Sequence, residues 1–235
     1  MAAMAEEDVR SVELAQTDIM QAYLERPLLL NKRKFDIRAY MLVANTTPYL
    51  VLGHNQFYAR LSCENYTTDE NRREDRFVHL TNVAVQRKHP DYSNQRNEIV
   101  WSRDRFTSHL EGELSFPKGT VQEKLWPKIK EIMRHVFDSA KGQFERKMGY
   151  FDLFGMDLML DEELRPWLLE VNTNPAMWTS CQVTKDLCPE VIKTTVDVVL
   201  TSWKEAKASD QQVAWSTEEQ NQWGGFELLV DESKK

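Results

Sequence analysis

The stretch from residue 150 to residue 172, YFDLFGMDLMLDEELRPWLLEVN, constrains this chain most tightly. Two apolar runs, 150–160 and 165–172, flank the turn residues DEEL and read as a β-hairpin. Each run holds a carboxylate in its interior, Asp157 in one and Glu170 in the other. A hairpin folded about the middle of the turn sets these two opposite each other. Directly opposed residues share a sheet face with Cβ atoms roughly 4.5–5.5 Å apart, so the carboxylates repel and are costly to desolvate. Three resolutions are open: a divalent cation held by both, protonation of one, or a salt bridge from each to an arginine. Mg²⁺ prefers carboxylate and amide oxygens, and Asn172 follows Glu170 on the same face. Asp157, Glu170 and Asn172 therefore form a candidate Mg²⁺ cradle, which a one-residue slip in register would undo.

A second set lies in KFDIR, where Lys34, Asp36 and Arg38 alternate with Phe35 and Ile37. Alternation puts the three charges on one face of a strand, spaced roughly 6.6–7 Å apart. Mg²⁺ is usually bound together with substrate phosphates, and phosphates need cationic partners. Lys34 and Arg38 suit that role, with Asp36 orienting them. The competing reading is a solvated strand face with an internal salt bridge. A third set, HLTN at 79–82, offers side-chain donors in what reads as an extended segment.

The remaining sequence sets the frame. With 235 residues, 41% hydrophobic and 29% charged, the chain has the make-up of a soluble globular protein. No apolar run approaches the ~18 residues of a bilayer span, so membrane insertion is not expected. Three cysteines without CxxC spacing point to a reducing compartment rather than a disulfide or zinc framework. A net charge of −7 argues against a general nucleic-acid binder. The segments 35–44 and 48–61 read as strands separated by an NTTP turn, 62–76 as a polar loop and 77–85 as extended. Residues 118–148 carry a helical pattern, with Pro127 marking a kink or the true start, and 187–203 a second helix. The domain plan is a polar segment over 1–17, one domain over 18–206 and a loosely ordered polar tail over 207–235. Strands and helices mix without regular βαβ alternation, so the class is α+β.

In order, QAYLERPLLLNKRKFDIRAYMLV, YARL, HLTN, FDLFGMDLML and WLLEVNTNPAM resemble the tubulin tyrosine ligase-like enzymes, from about residue 19 to 200. GYFDLFGMDLMLDEELRPWLLEVNTNPAM is similar to the polyglycylase branch. The resemblance implies the C-terminal half of an ATP-grasp fold, a mostly antiparallel sheet with flanking helices. It implies a ligase that uses ATP and Mg²⁺ to join a free amino acid, glycine above all, to glutamate side chains of tubulin tails or another glutamate-rich protein. The cytoplasm and cytoskeleton follow as its location, extending to the axoneme of a cilium. By motif, Asp157, Glu170 and Asn172 would bind Mg²⁺, and Lys34, Asp36 and Arg38 would contact phosphates and substrate. Arg60, in YARL, would hold the acyl phosphate. His79, Thr81 and Asn82 would line the nucleotide and amino-acid site, and Gln21, Ala22, Tyr23 and Leu24 would form the adenine hinge. The alternatives are a polyglutamylase and a non-catalytic tubulin-binding module. Two departures stand out: alanine replaces the lysine frequent at position 22, and the family's N-terminal domain and first ATP-grasp half have no counterpart. Weak ATP binding and poor ligation by this chain alone are the expectation.

Overall fold

Alternating FDIRAYMLVANT makes a long strand, and β1 spans Phe35–Thr46 with every residue buried. The computed structural model describes residues 21–208 and 223–234. Around β1 stand β2 (Tyr49–His54), β3 (Tyr58–Leu61), β4 (Val100–Ser102), β5 (Asp152–Leu160), β6 (Pro166–Asn172) and β7 (Phe226–Asp231), which form one seven-stranded sheet. All pairings are antiparallel. One edge of β1 is shared, with β3 on its first half and β2 on its second, while β5 takes the other edge. β4 extends the sheet beyond β3, β7 beyond β2 and β6 beyond β5.

Helices cover both faces, which is why β1 is buried throughout. Short helices α1 (Arg76–His79), α2 (Val83–Gln86) and α3 (Tyr92–Gln95) precede α4 (Arg103–Gly112). A π-helical turn, Val121–Leu125, leads into α5 (Trp126–Ala140), and α6 runs over Gln182–Ala208. Met41 pairs with Gly53, and a Cβ at Gly53 would meet Met133 Sδ at 2.9 Å, so α5 lies on the Met41 face. Tyr40 points the other way, with its hydroxyl 4.0 Å from Cys188 Sγ of α6. Arg38 and Asp36 share the parity of Tyr40 and so face the α6 side.

Several sequence expectations change. The region 48–61 is two strands, broken at 55–57. The segment 77–85 is not extended: Asp75 accepts from Phe77 N–H at 2.9 Å and Asn82 from Ala84 N–H at 2.8 Å. These caps start α1 and α2, and helical turns flank Leu80 and Thr81. Pro127 marks the start of α5, in whose first turn no amide hydrogen is needed. Of the expected loose tail, residues 226–231 instead form β7 against β2. The apolar run Leu228, Leu229 and Val230 carries that strand, and the surrounding polar residues hid it. β4 and α4 had no sequence assignment. The expected polar segment 1–17 lies outside the described residues.

Candidate functional site

Register places a row of charges across the sheet on the α6 face. Asp36 of β1 opposes Arg60 of β3, Arg38 of β1 opposes Asp157 of β5, and Asp157 opposes Glu170 of β6. The pairing of Asp157 with Glu170 holds because the irregularity in that hairpin falls after it, between Asp157 and Leu158. Arg60 grips Asp36 through Nε at 2.6 Å and Nη2 at 2.8 Å. Arg38 grips Asp157 at 2.5 and 3.1 Å, and Arg60 also reaches Asp157 Oδ2 at 2.8 Å. Thr81 Oγ1 donates to Asp36 Oδ2. All four charged groups are buried. Burial pushes the Asp157 carboxyl up, but hydrogen bonds from Arg38 and the charges of Arg60 and Arg38 outweigh it and hold the group below the usual carboxylate range. Against desolvation, Asp157 raises the Arg38 guanidinium, and Asp36 with Asp157 raises that of Arg60, above the ordinary value. The solvated strand face considered for KFDIR is thus excluded. Asp36 orients Arg60 rather than Lys34 and Arg38.

Lys34 differs from the two arginines. It is 3% exposed, and its Nζ lies 4.1 Å from the Tyr23 ring centroid and 6.0 Å from that of Tyr66. Among the described residues it makes no ion pair. Desolvation, only partly offset by Asp36, lowers its pKa to about 8. His79 completes the aromatic surround, with its ring centroid 5.8 Å from those of Tyr23 and Tyr66. Tyr23 Oη lies 2.7 Å from His79 Nδ1 and His79 Nε2 lies 3.0 Å from the Arg72 carbonyl. A carbonyl only accepts, so Nε2 carries the hydrogen and Nδ1 accepts from the tyrosine. Burial lowers the His79 pKa, in keeping with a neutral ring.

Glu170 sits on the exposed side of the row and has no cationic partner among the described residues. Asn172 Nδ2 lies 3.2 Å from Glu170 Oε1 and 3.5 Å from Asp157 Oδ2. A half-turn of the amide would bring its oxygen to the same point, giving three oxygen-bearing groups within reach of one hard cation. Among the described residues no cluster of three histidine, cysteine or carboxylate side chains suited to a metal is present. The oxygen set of two carboxylates and one amide still fits Mg²⁺, which keeps several waters and takes few protein ligands. Of the resolutions considered for opposed carboxylates, arginine pairing serves Asp157 and leaves Glu170 open.

The remaining candidates gather nearby to different degrees. Gln21 Nε2 donates to the Leu169 carbonyl of β6 at 3.0 Å, while Tyr23 meets His79 and Lys34. Ala22 and Leu24 make no side-chain hydrogen bond. Thr81 joins the charged row directly, His79 joins through Tyr23, and Asn82 is exposed and spends its side-chain oxygen on the α2 cap. Sequence reasoning missed Tyr66 and Gly155. Tyr66 lies in a loop that looked merely polar. A Cβ at Gly155 would stand 2.7 Å from Pro175 Cβ and 3.3 Å from Arg38 Cδ, and a lone glycine inside a strand could have signalled that close approach.

The sequence profile described as the tubulin-tyrosine ligase family matches residues 6–207. The protein polyglycylase TTLL10 of Macaca fascicularis is 38% identical over 195 residues, covering 81% of this chain and 31% of the relative. The inactive polyglycylase TTLL10 of Homo sapiens is 37% identical, covering 81% and 28%. The probable alpha-tubulin polyglutamylase Ttll1 of Tetrahymena thermophila is 28% identical, covering 97% and 54%. The chain spans less than a third of the length of the first two relatives. With the family profile matching most of its length and an antiparallel sheet that carries the motif residues, this chain belongs to the tubulin-tyrosine ligase family.

Proposed function

We propose that this chain binds Mg-ATP and joins an amino acid, glycine above all, to glutamate side chains of tubulin tails. The charged row carries this reading: two arginines and a lysine stand on one sheet face beside Asp157 and the open carboxylate of Glu170. When bound, Mg-ATP would supply the phosphoryl group that activates the acceptor carboxylate, after which the amino-acid amine displaces phosphate and forms the amide. Asp157, Glu170 and Asn172 would hold the cation. Arg38 and Arg60 are fixed by Asp36 and Asp157, so their charge is in place without reorganisation, and such preorganised charge is the main lever in phosphoryl transfer. Lys34 would exchange its aromatic contacts for a phosphate oxygen. Gln21 to Leu24 would border the adenine, and His79, Thr81 and Asn82 the amino acid. This activity places the protein at the cytoskeleton, including ciliary axonemes.

A second reading, glutamate as the added residue, is favoured by the match of a probable polyglutamylase over 97% of the chain. A third, a tubulin-binding module without turnover, is favoured by the human relative named inactive. Incubation of tubulin with Mg-ATP and labelled glycine or glutamate separates the three. Glycine incorporation, weak for this chain alone and removed by Glu170→Gln, is the expected result. Glutamate incorporation alone selects the second reading, and tubulin binding without either label the third.

A further inference from the structure

Past Asn172 the chain turns through Pro175 to Trp178, which is 53% exposed. The guanidinium of Arg87 lies 4.5 Å from the centroid of its ring. Opposite walls of the site deliver the two residues. Arg87 closes α2, the helix capped by Asn82 directly after Thr81, which donates to Asp36. Trp178 follows Pro175, which packs on Gly155 beside Arg38. The Arg87–Trp178 contact therefore bridges the two segments that leave the charged row.

The charge of this bridge is unspent. Arg87 and its neighbour Lys88 are exposed, and neither forms an ion pair among the described residues. Several other surface arginines do pair: Arg72 with Asp75, Arg105 with Glu98, Arg146 with Glu232 and Arg165 with Asp161. What sets Arg87 and Lys88 apart is their place: two adjacent exposed cations, one of them held over an exposed tryptophan beside the charged row. Stacking occupies a face of the guanidinium and leaves its in-plane N–H donors directed outward, in the fork that fits a carboxylate.

We propose that the Arg87–Trp178 stack, together with Lys88, is a docking point for a carboxylate-rich peptide, which it holds by a glutamate neighbouring the one presented to the charged row. The inference rests on the proposed glutamate acceptor and extends it from the reacting side chain to its neighbours. Lys88 contributes charge, Arg87 contributes charge and direction, and Trp178 holds the Arg87 guanidinium over its ring.

Fluorescence anisotropy of a labelled short polyglutamate peptide with the full chain, without nucleotide, tests this directly. Arg87→Ala should weaken binding roughly tenfold, the scale of one charge-assisted hydrogen bond. Trp178→Ala should weaken it roughly threefold, the scale of an exposed cation–π contact. Arg87→Lys should fall between wild type and Arg87→Ala, because the charge stays and the fork is lost. Both side chains are exposed, and circular dichroism should show an unchanged fold. Wild-type affinity in Arg87→Ala overturns the proposal, as does equal binding of a polyglutamine peptide. Displacement by single-stranded DNA as readily as by polyglutamate also overturns it, in favour of a general polyanion surface. Arg87-dependent peptide binding with no ligation would remove the ligase reading and keep this docking point. Ligation with an unchanged acceptor KM in Arg87→Ala would do the reverse.

Discussion

Arg38 and Asp157 occupy directly opposed positions on β1 and β5, and Arg38 Nε lies 2.5 Å from Asp157 Oδ1. With Arg60 and Asp36 they form a buried set of two positive and two negative groups. Deleting one charge leaves another uncompensated, at a cost of about 3–5 kcal/mol. Asp157→Asn should lose stability on that scale in urea unfolding. Glu170 lies outside the set, so Glu170→Gln should change stability by less than about 0.5 kcal/mol while abolishing turnover. Equal destabilisation by the two variants would contradict this division between a structural and an open carboxylate.

Lys34 should be a liability to the fold. Its folded pKa, about 8, lies below the unfolded value of 10.5. The unfolded chain therefore takes up the proton first as pH falls, and stability drops between those two values. Below about 8 the whole penalty is present, on the order of 3 kcal/mol from the size of the shift. Lys34→Met should accordingly raise stability at neutral pH by roughly 2–3 kcal/mol and eliminate ATP-dependent ligation. The gain should shrink in unfolding measurements taken above pH 10. A variant less stable than wild type at pH 7 would refute the account of Lys34 as a charge held at a cost.

Acid should weaken the protein in two steps. Burial lowers the pKa of His54, despite Glu190 at 3.6 Å, so its contribution is intact above about 6.5 and is lost as pH falls through the folded value. Asp157 is depressed too, so its contribution is intact above about 3.9 and is lost at lower pH. Unfolding free energies measured across this range should show both declines. His54→Asn should remove the upper one only.

Gly155 sets how closely the chain after β6 can approach the charged row. Gly155→Ala would force its Cβ against Pro175 Cβ at 2.7 Å, in a ring tied to the backbone, and close to Arg38 Cδ at 3.3 Å. The expected cost is about 1–3 kcal/mol. Because Pro175 cannot retreat without moving the segment that follows Asn172, the proposed Mg²⁺-dependent activity should fall further than stability predicts. Activity per folded molecule, with folding followed by near-ultraviolet circular dichroism, checks this. Unaltered specific activity would show that the loop tolerates displacement.

The hairpin holding Asp157 and Glu170 was legible because alternation and a short polar turn fix register locally. KFDIR was legible for the same reason. Its partners were not: Asp36 meets Arg60 and Arg38 meets Asp157 only through pairings among β1, β3 and β5, which no local pattern specifies. The extended reading of 77–85 failed because two capping side chains, Asp75 and Asn82, outweighed an apolar run. β7 was hidden by its setting, since the short apolar run within the six residues of FELLVD stands beside a long polar stretch. Tyr66 offered no signal, because an aromatic residue in a polar loop looks the same whether or not it screens a buried lysine.

The shared edge of β1 has a kinetic meaning. Arg38 and Asp157 stand 119 positions apart in the chain, and β1 finds all its neighbours only after β5 has been made. Closing so wide a loop comes late, and chains dominated by such pairings fold slowly. A form that lacks β5 can pair Asp36 with Arg60 but cannot carry the whole set, so the proposed phosphate-binding capacity should emerge with the final collapse. In native-state hydrogen exchange the amides of β1 should then open only with global unfolding, whereas those of α1 to α3 open by local fluctuation.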